Sequence, residues 1–364
     1  MRYSSFVPRL YNLCRSFGFT PGQIMPSRAM CSDESQGFPI ILITKHFGAF
    51  PFNHGRAGGI VATDRHGPHA HHGQDLLLIQ ASHVGYDPDS KAYGHYCRLQ
   101  TSDHLSTATC GRIGEVLQWY MDEFTFASTH ISLGIEDGRR TVAIDNQLLD
   151  QSRSEGLFLD LSFLLAQRNG EFDLVRTQST SHVYLASDAF IECIGSAHWP
   201  HEGASLVFGQ HLQPPLFKFK RQPSELEDEY HWLERNLLPS MPWIVTAKAP
   251  MLTAAQVNTI TEFDRTYRTL VKSSDYSGKN LFFISCLNID ISPKPGQVFP
   301  LTKCVPWAAY LQGADGSARI YEQKELCALL REQSEENPDQ IDLEAAILRM
   351  INAPQVLPRS SHSE

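Results

Sequence analysis

The sequence predicts an α/β protein, a mostly parallel sheet flanked by helices and continued by a C-terminal extension. Leu76 to His83 (LLLIQASH) is a continuous apolar run bounded by polar residues, the mark of a central strand covered on both faces. Ile113, Val116, Leu117, Tyr120 and Met121 recur at the spacing of an amphipathic helix. A second strong strand, Asn280 to Ile291 (NLFFISCLNIDI), lies far downstream, so the sheet draws on both halves of the chain.

Length and composition set the outer bounds. The 364 residues are enough for one large or two ordinary domains. The expected division is a core over 1–160, an α/β portion over 161–350 packed on the same body, and a flexible tail over 353–364. Apolar residues at 42% and charged residues at 20% are ordinary for a globular protein. A formal net charge of −9 with no basic stripe argues against a nucleic-acid partner. No window approaches the apolar length of a membrane span. The eight cysteines lack the short spacings of a disulfide framework, which predicts reduced thiols and a cytoplasmic setting. Met1 to Arg28 has no secretory signal pattern, although its Arg-rich, acid-free character leaves organellar delivery open.

Taken in order, Leu10, Leu13, Cys14 and Phe17 predict a helix over Phe6 to Ser16 that stops at Gly18. Ile24 to Met30 leads to Cys31-Ser32-Asp33, and Phe38 to Thr44 reads as a strand or the start of a buried helix. Nine of the sixteen histidines fall between His46 and His104, several of them in the glycine-containing stretch His54 to His72. Gly58-Gly59 there permits positive φ or close backbone approach. His83 is expected at the carboxyl end of its strand, where open α/β sheets place ligands. A short strand over Tyr93 to Arg98 follows, then the helix with Cys110 in its first turn. Further on come two strands around Asp137-Gly138, a helix over Leu157 to Arg168, and a strand-rich stretch ending in Phe190 to Ile194. Helices are expected over Ser224 to Leu237, Thr253 to Val271 (Val257, Ile260 and Phe263 on one face), Tyr321 to Glu332 and Asp342 to Ile351, with a buried segment at Val305 to Leu311.

Cys31, His83 and Cys110 each stand at the end of a predicted element. Two thiolates and an imidazole with a fourth position open form the donor set of a catalytic zinc. Singly, each has a blander reading as a core thiol or a satisfied strand-end histidine. Asp33, two residues beyond Cys31, is expected on the same side of the chain. A helix N-terminus favours the thiolate of Cys110, as metal ligand or as nucleophile.

The joint order, Cys-x-Asp after one core segment, His after a second and Cys-Gly opening a helix, resembles that of the beta-class carbonic anhydrases. It is more similar still to the limiting-CO2-inducible protein B/C family, a divergent theta-like branch. The matching pieces are Phe17-Gly18-Phe19-Thr20, Cys31-Ser32-Asp33-Glu34, Ala70-His71-His72, Ser82-His83-Val84-Gly85 and Thr107-Ala108-Thr109-Cys110-Gly111, spanning roughly residues 8 to 125. The resemblance implies a beta-carbonic-anhydrase-like fold, a homodimer, and reversible hydration of CO2 to bicarbonate. It implies Cys31, His83 and Cys110 as zinc ligands and Asp33 as the carboxylate of an aspartate-arginine dyad. Ser35 stands where the beta class has its arginine, so that role passes to Arg65, with Arg56 next. His66, His69, His71 and His72 are the candidate proton carriers. Two other readings stay open: a non-catalytic zinc-stabilised scaffold or inorganic-carbon-related binding protein, and a hydrolase using the histidine cluster's metal or Cys110 with His83 as its base.

Overall fold

The computed structural model describes residues 1–62, 75–97, 106–222, 228–294, 297 and 299–353. Its frame is α1 (Tyr3–Ser16), β1 (Ile24–Met30), α2 (Gly37–Phe47), β2 (Asp75–Asp87), α3 (Gly111–Thr129), α4 (Pro250–Lys272), β3 (Asn280–Ile291), β4 (Lys303–Gln312), β5 (Ala318–Glu322) and α5 (Gln323–Glu332). The seven-stranded main sheet runs Phe52–Asn53, β1, β2, β3, β4, β5, with Ala92–Tyr93 paired beside β2. The first four strands are parallel and the last two antiparallel. Strands from the C-terminal half therefore complete the sheet begun in the N-terminal half.

Alternation along β2 explains why its sequence reads as one unbroken apolar run. Leu77, Ile79 and Ala81 pack with Phe282 and Ile284 of β3 under Phe6, Leu10 and Leu13 of α1, Ile43 of α2, and Leu326 and Leu330 of α5. Leu76 and Leu78 turn to the opposite face, with Leu281 and Phe283, beneath Phe263 and Leu270 of α4. Each leucine, isoleucine or phenylalanine among them taken fully out of water contributes roughly 1.5–3 kcal/mol.

A second, five-stranded antiparallel sheet holds Ile131–Glu136 and Arg139–Asp145 around the Asp137-Gly138 turn, both turn residues at positive φ. Behind it, α3 buries Ile113, Val116, Leu117 and Tyr120 in one large cluster with Leu133, Val142 and Ile144. Among the described residues, no helix is long and apolar enough to cross a membrane. All eight cysteines are free thiols.

Of the two readings left open for Phe38–Thr44, the helix is the one found, within α2. Other expectations are corrected. Leu157–Arg168 is not one helix but a strand (Gly156–Leu159), one helical turn (Leu161–Leu164) started by the Asp160 cap, and a two-residue strand (Gln167–Arg168). A short, mostly apolar stretch such as this one has too few residues for its period to tell strand from helix. Phe190–Ile194 closes a helix, Asp188–Ile194, whose start is fixed by Ser187 accepting from the Phe190 N–H. On α4, Phe263 is buried but Ile260 is exposed, and the inward face also carries the fully buried Asn258 and Glu262, which serve a polar network beside the apolar core.

The last turn of α2 carries buried His46, whose ring Nδ1 and carbonyl both meet the Asn337 amide (3.3 and 2.9 Å). Burial, with neighbouring Lys45, holds the imidazole down at about 4 against an ordinary 6.5. The unfolded chain then binds the proton more readily, so His46 adds stability above pH 6.5 that is lost as the pH falls toward about 4. Urea midpoints measured at pH 7 and pH 5 should fall less between the two in His46→Gln than in the unsubstituted protein.

Candidate metal centre

Three separate elements deliver the donors. Cys31 follows the last residue of β1; Met30 is paired with Ala81 of β2, two positions before His83. His83 lies inside β2, opposite Asn288 of β3, and not at a strand end: pairing with β3 carries β2 on through Tyr86. Cys110 immediately precedes α3 in a left-handed conformation (φ 58°). That conformation is costly for a residue with a Cβ. Its carbonyl accepts from Ile113 and Gly114, and its N–H donates to Asp33 Oδ2 at 3.4 Å.

Sulfur, nitrogen and sulfur all lie within 4.8 Å of one another. His83 is fully buried; its Nδ1 meets Asp290 Oδ2 at 2.9 Å, while its Nε2 makes no hydrogen bond. A buried nitrogen in that condition, beside two thiols, is the arrangement a metal ion satisfies. The three residues together can hold a metal ion.

Protonation is shared among them. Cys31 carries the thiolate: the hydrogen bond from Cys110 outweighs burial and, with His83 and the Gly58 N–H, brings it down to about 4. Cys110, on the other end of that bond and deeply buried, is pushed well up. The two thiols are thus pushed in opposite directions, Cys31 down and Cys110 up, by their mutual hydrogen bond and by burial. Burial opposes charge on His83, but Cys110, Asp290 and Cys31 together raise it well above an ordinary imidazole. A divalent cation bound here would displace protons that Cys110 and His83 otherwise hold.

Backbone around Cys31 is fixed from beneath. The Gly58 N–H donates to Cys31 Sγ at 3.2 Å. Asn258 of α4 donates to the Gly58 carbonyl (3.0 Å) and to Ser82 Oγ (2.8 Å), Gln80 donates to the Gly59 carbonyl (3.0 Å), and Glu262 accepts from the Val61 N–H (2.7 Å). A Cβ on Gly59, whose φ is +77°, would come within 2.4 Å of the Ala81 carbonyl oxygen. Close approach at this glycine pair was legible in the sequence; the polar underside supplied by α4 was not.

Asp33 stands half-buried between the sulfurs and the exposed Ser32 and Glu34. Its two oxygens accept from the backbone N–H groups of Ser35 (3.0 Å) and Cys110 (3.4 Å). Arg65 lies outside the described residues, as do His66, His69, His71 and His72. Arg56 is half-buried on the two-residue strand Gly55–Arg56, which pairs with Ile60–Val61.

Sequence reasoning missed Asp290, fully buried on β3. Its Oδ2 also accepts from Ser35 Oγ (2.9 Å) and Gln36 Nε2 (2.7 Å), and its Oδ1 from Thr302 Oγ1 (2.9 Å). The available signal was a pair of polar residues, Asn288 and Asp290, inside an otherwise apolar strand, where such groups require partners.

The structure defines a mixed α/β protein with a buried Cys-His-Cys site at its main sheet. Its fold is that of the limiting CO2-inducible proteins. The crystal structure of PtLCIB4, a homolog of the limiting CO2-inducible protein LCIB, matches over 89% of this chain and 94% of its own, with a TM-score of 0.53 at 12% identity. LCIB itself covers the same shares at a TM-score of 0.47 and 13% identity. No protein-family model matches the sequence, and no curated protein does.

Two outcomes are expected. Cys110→Ser should weaken divalent-metal binding by more than about 100-fold, beyond the loss from removing a supporting group alone, as read by chelator competition. Gly59→Ala should cost about 2–4 kcal/mol in urea unfolding, through positive φ and the clash with the Ala81 carbonyl.

Proposed function

We propose that the protein is a zinc-dependent carbonic anhydrase that interconverts CO2 and bicarbonate. The observation that carries this reading is the convergence of Cys31, His83 and Cys110, with a buried His83 Nε2 that makes no hydrogen bond. Two sulfurs and one imidazole suit zinc by softness and number, and three protein donors leave a position for solvent. When bound, zinc supplies the Lewis acidity that lowers the pKa of water from 15.7 to about 7.

The chain's own groups supply the rest. Two thiolates pass more charge to a metal than two imidazoles would, so a nearby acceptor matters more. Asp33 takes that role: with one edge tied to the Ser35 and Cys110 N–H groups, it accepts a hydrogen bond from the attacking water and orients it toward CO2. The backbone donors hold the carboxylate in place, a task the beta class gives to an arginine. The surrounding apolar residues Ile60, Val84 and Ile113 suit a small uncharged substrate. The product proton passes to His66, His69, His71 or His72.

One observation favours a zinc-stabilised, non-catalytic protein: Ser35 stands in the arginine's place and is turned inward to Asp290. Stopped-flow CO2 hydration on zinc-loaded protein separates the two readings. Turnover should be seen, and Asp33→Ala should keep its zinc while losing about 100-fold or more of the rate. Stoichiometric zinc without turnover would reject catalysis and leave the scaffold reading.

A further inference from the structure

Asp290 has no part in the donor set, yet it is the most heavily hydrogen-bonded side chain around it. Four donors converge on its two oxygens: His83 Nδ1 at 2.9 Å, Ser35 Oγ at 2.9 Å, Gln36 Nε2 at 2.7 Å and Thr302 Oγ1 at 2.9 Å. They come from the loop after Cys31, from β2 and from the segment leading into β4. Asn288, two residues earlier on β3, extends the network by donating to Gln36 Oε1 at 2.9 Å. Asp290 and His83 are both fully buried. A buried carboxylate needs compensation, and here it comes from hydrogen bonds and from an imidazole.

An imidazole has two nitrogens, and the one that donates a hydrogen bond is not the one that binds a metal. With Nδ1 facing Asp290, Nε2 is left toward the two thiols. Ser35 and Gln36, donating to the same oxygen, prevent the carboxylate from rotating away. We propose that Asp290 is a positioning residue for the metal centre: it fixes His83 with its Nδ1 proton toward β3 and its Nε2 lone pair toward Cys31 and Cys110, and it strengthens that nitrogen as a donor. This rests on the metal-centre reading, and it makes a residue of the C-terminal half part of a site whose ligands all come from the N-terminal third.

The test uses the full-length protein and zinc itself. Asp290→Asn is isosteric: the amide oxygen can accept from His83, Ser35 and Gln36, and the amide nitrogen can donate to the Thr302 hydroxyl. Shape and hydrogen bonds are thereby kept while the charge is removed. Zinc affinity by chelator competition should fall about 10- to 100-fold with the far-ultraviolet circular dichroism unchanged. Thr302→Val, which removes only the donor to Oδ1, should lose less than Asp290→Asn. In zinc-loaded wild-type protein, proton–nitrogen correlation spectra of the histidine rings should show His83 protonated at Nδ1 and metal-bound at Nε2. That assignment decides the question even if Asp290→Asn does not fold. Wild-type zinc affinity in Asp290→Asn, or zinc on Nδ1, would overturn the proposal. Zinc binding that weakens as described, in a protein that does not hydrate CO2, would overturn the catalytic reading and leave this one standing.

Discussion

The structure depends on the parallel pairing of β2 with β3, which runs without interruption from Asp75 opposite Asn280 to Tyr86 opposite Ile291. Both strands are covered on both faces, so their registry is set by apolar side chains that cannot move by one residue without exchanging faces. That registry places His83 beside Asn288 and brings Asp290 within hydrogen-bonding distance of the imidazole. The candidate metal centre is accordingly a property of the main sheet, with Cys31 delivered by the neighbouring strand β1 and Cys110 by the start of α3.

The second constraint is polar. Beneath the turn at Gly58 and Gly59, α4 presents Asn258 and Glu262 where an ordinary packing helix would present leucines. Glu262 is tied to Asn236 at 2.7 Å, to Arg265 and to the Val61 N–H. Buried groups of this kind are costly unless satisfied, and once satisfied they admit one arrangement. The Gly58 N–H thus points at the Cys31 sulfur because the helix side chains leave the turn no other place.

Much of this was legible in the residues. The central strands, the helix after Cys110 and the three candidate donors stood out because apolar periodicity and ligand type are local signals. Three things were not. The extent of β2 beyond His83 depends on pairing with a strand from the other end of the chain. The strand, turn and strand between Gly156 and Arg168 are each too short for a period to show, and the Asp160 cap that divides them also fits inside a longer helix. The role of Asp290 could not be read from its neighbours in sequence, since its partners Ser35, Gln36 and His83 are distant ones. The face shared by Val257, Ile260 and Phe263 is split for a related reason: Phe263 packs on the sheet and Ile260 is exposed, because α4 also turns Asn258 and Glu262 inward, which an apolar pattern does not register.

The separation of 207 residues between His83 and Asp290 bears on how the protein is made. On a ribosome the segment with both thiols and the imidazole emerges long before the strand that completes the sheet around it. Contacts of such long range form late and slowly. Until β3 docks, β2 is an exposed apolar edge and the two sulfurs have no enclosed cavity. That edge must stay unpaired until elongation brings β3 to it, and the buried setting of the three candidate donors is completed only late in maturation.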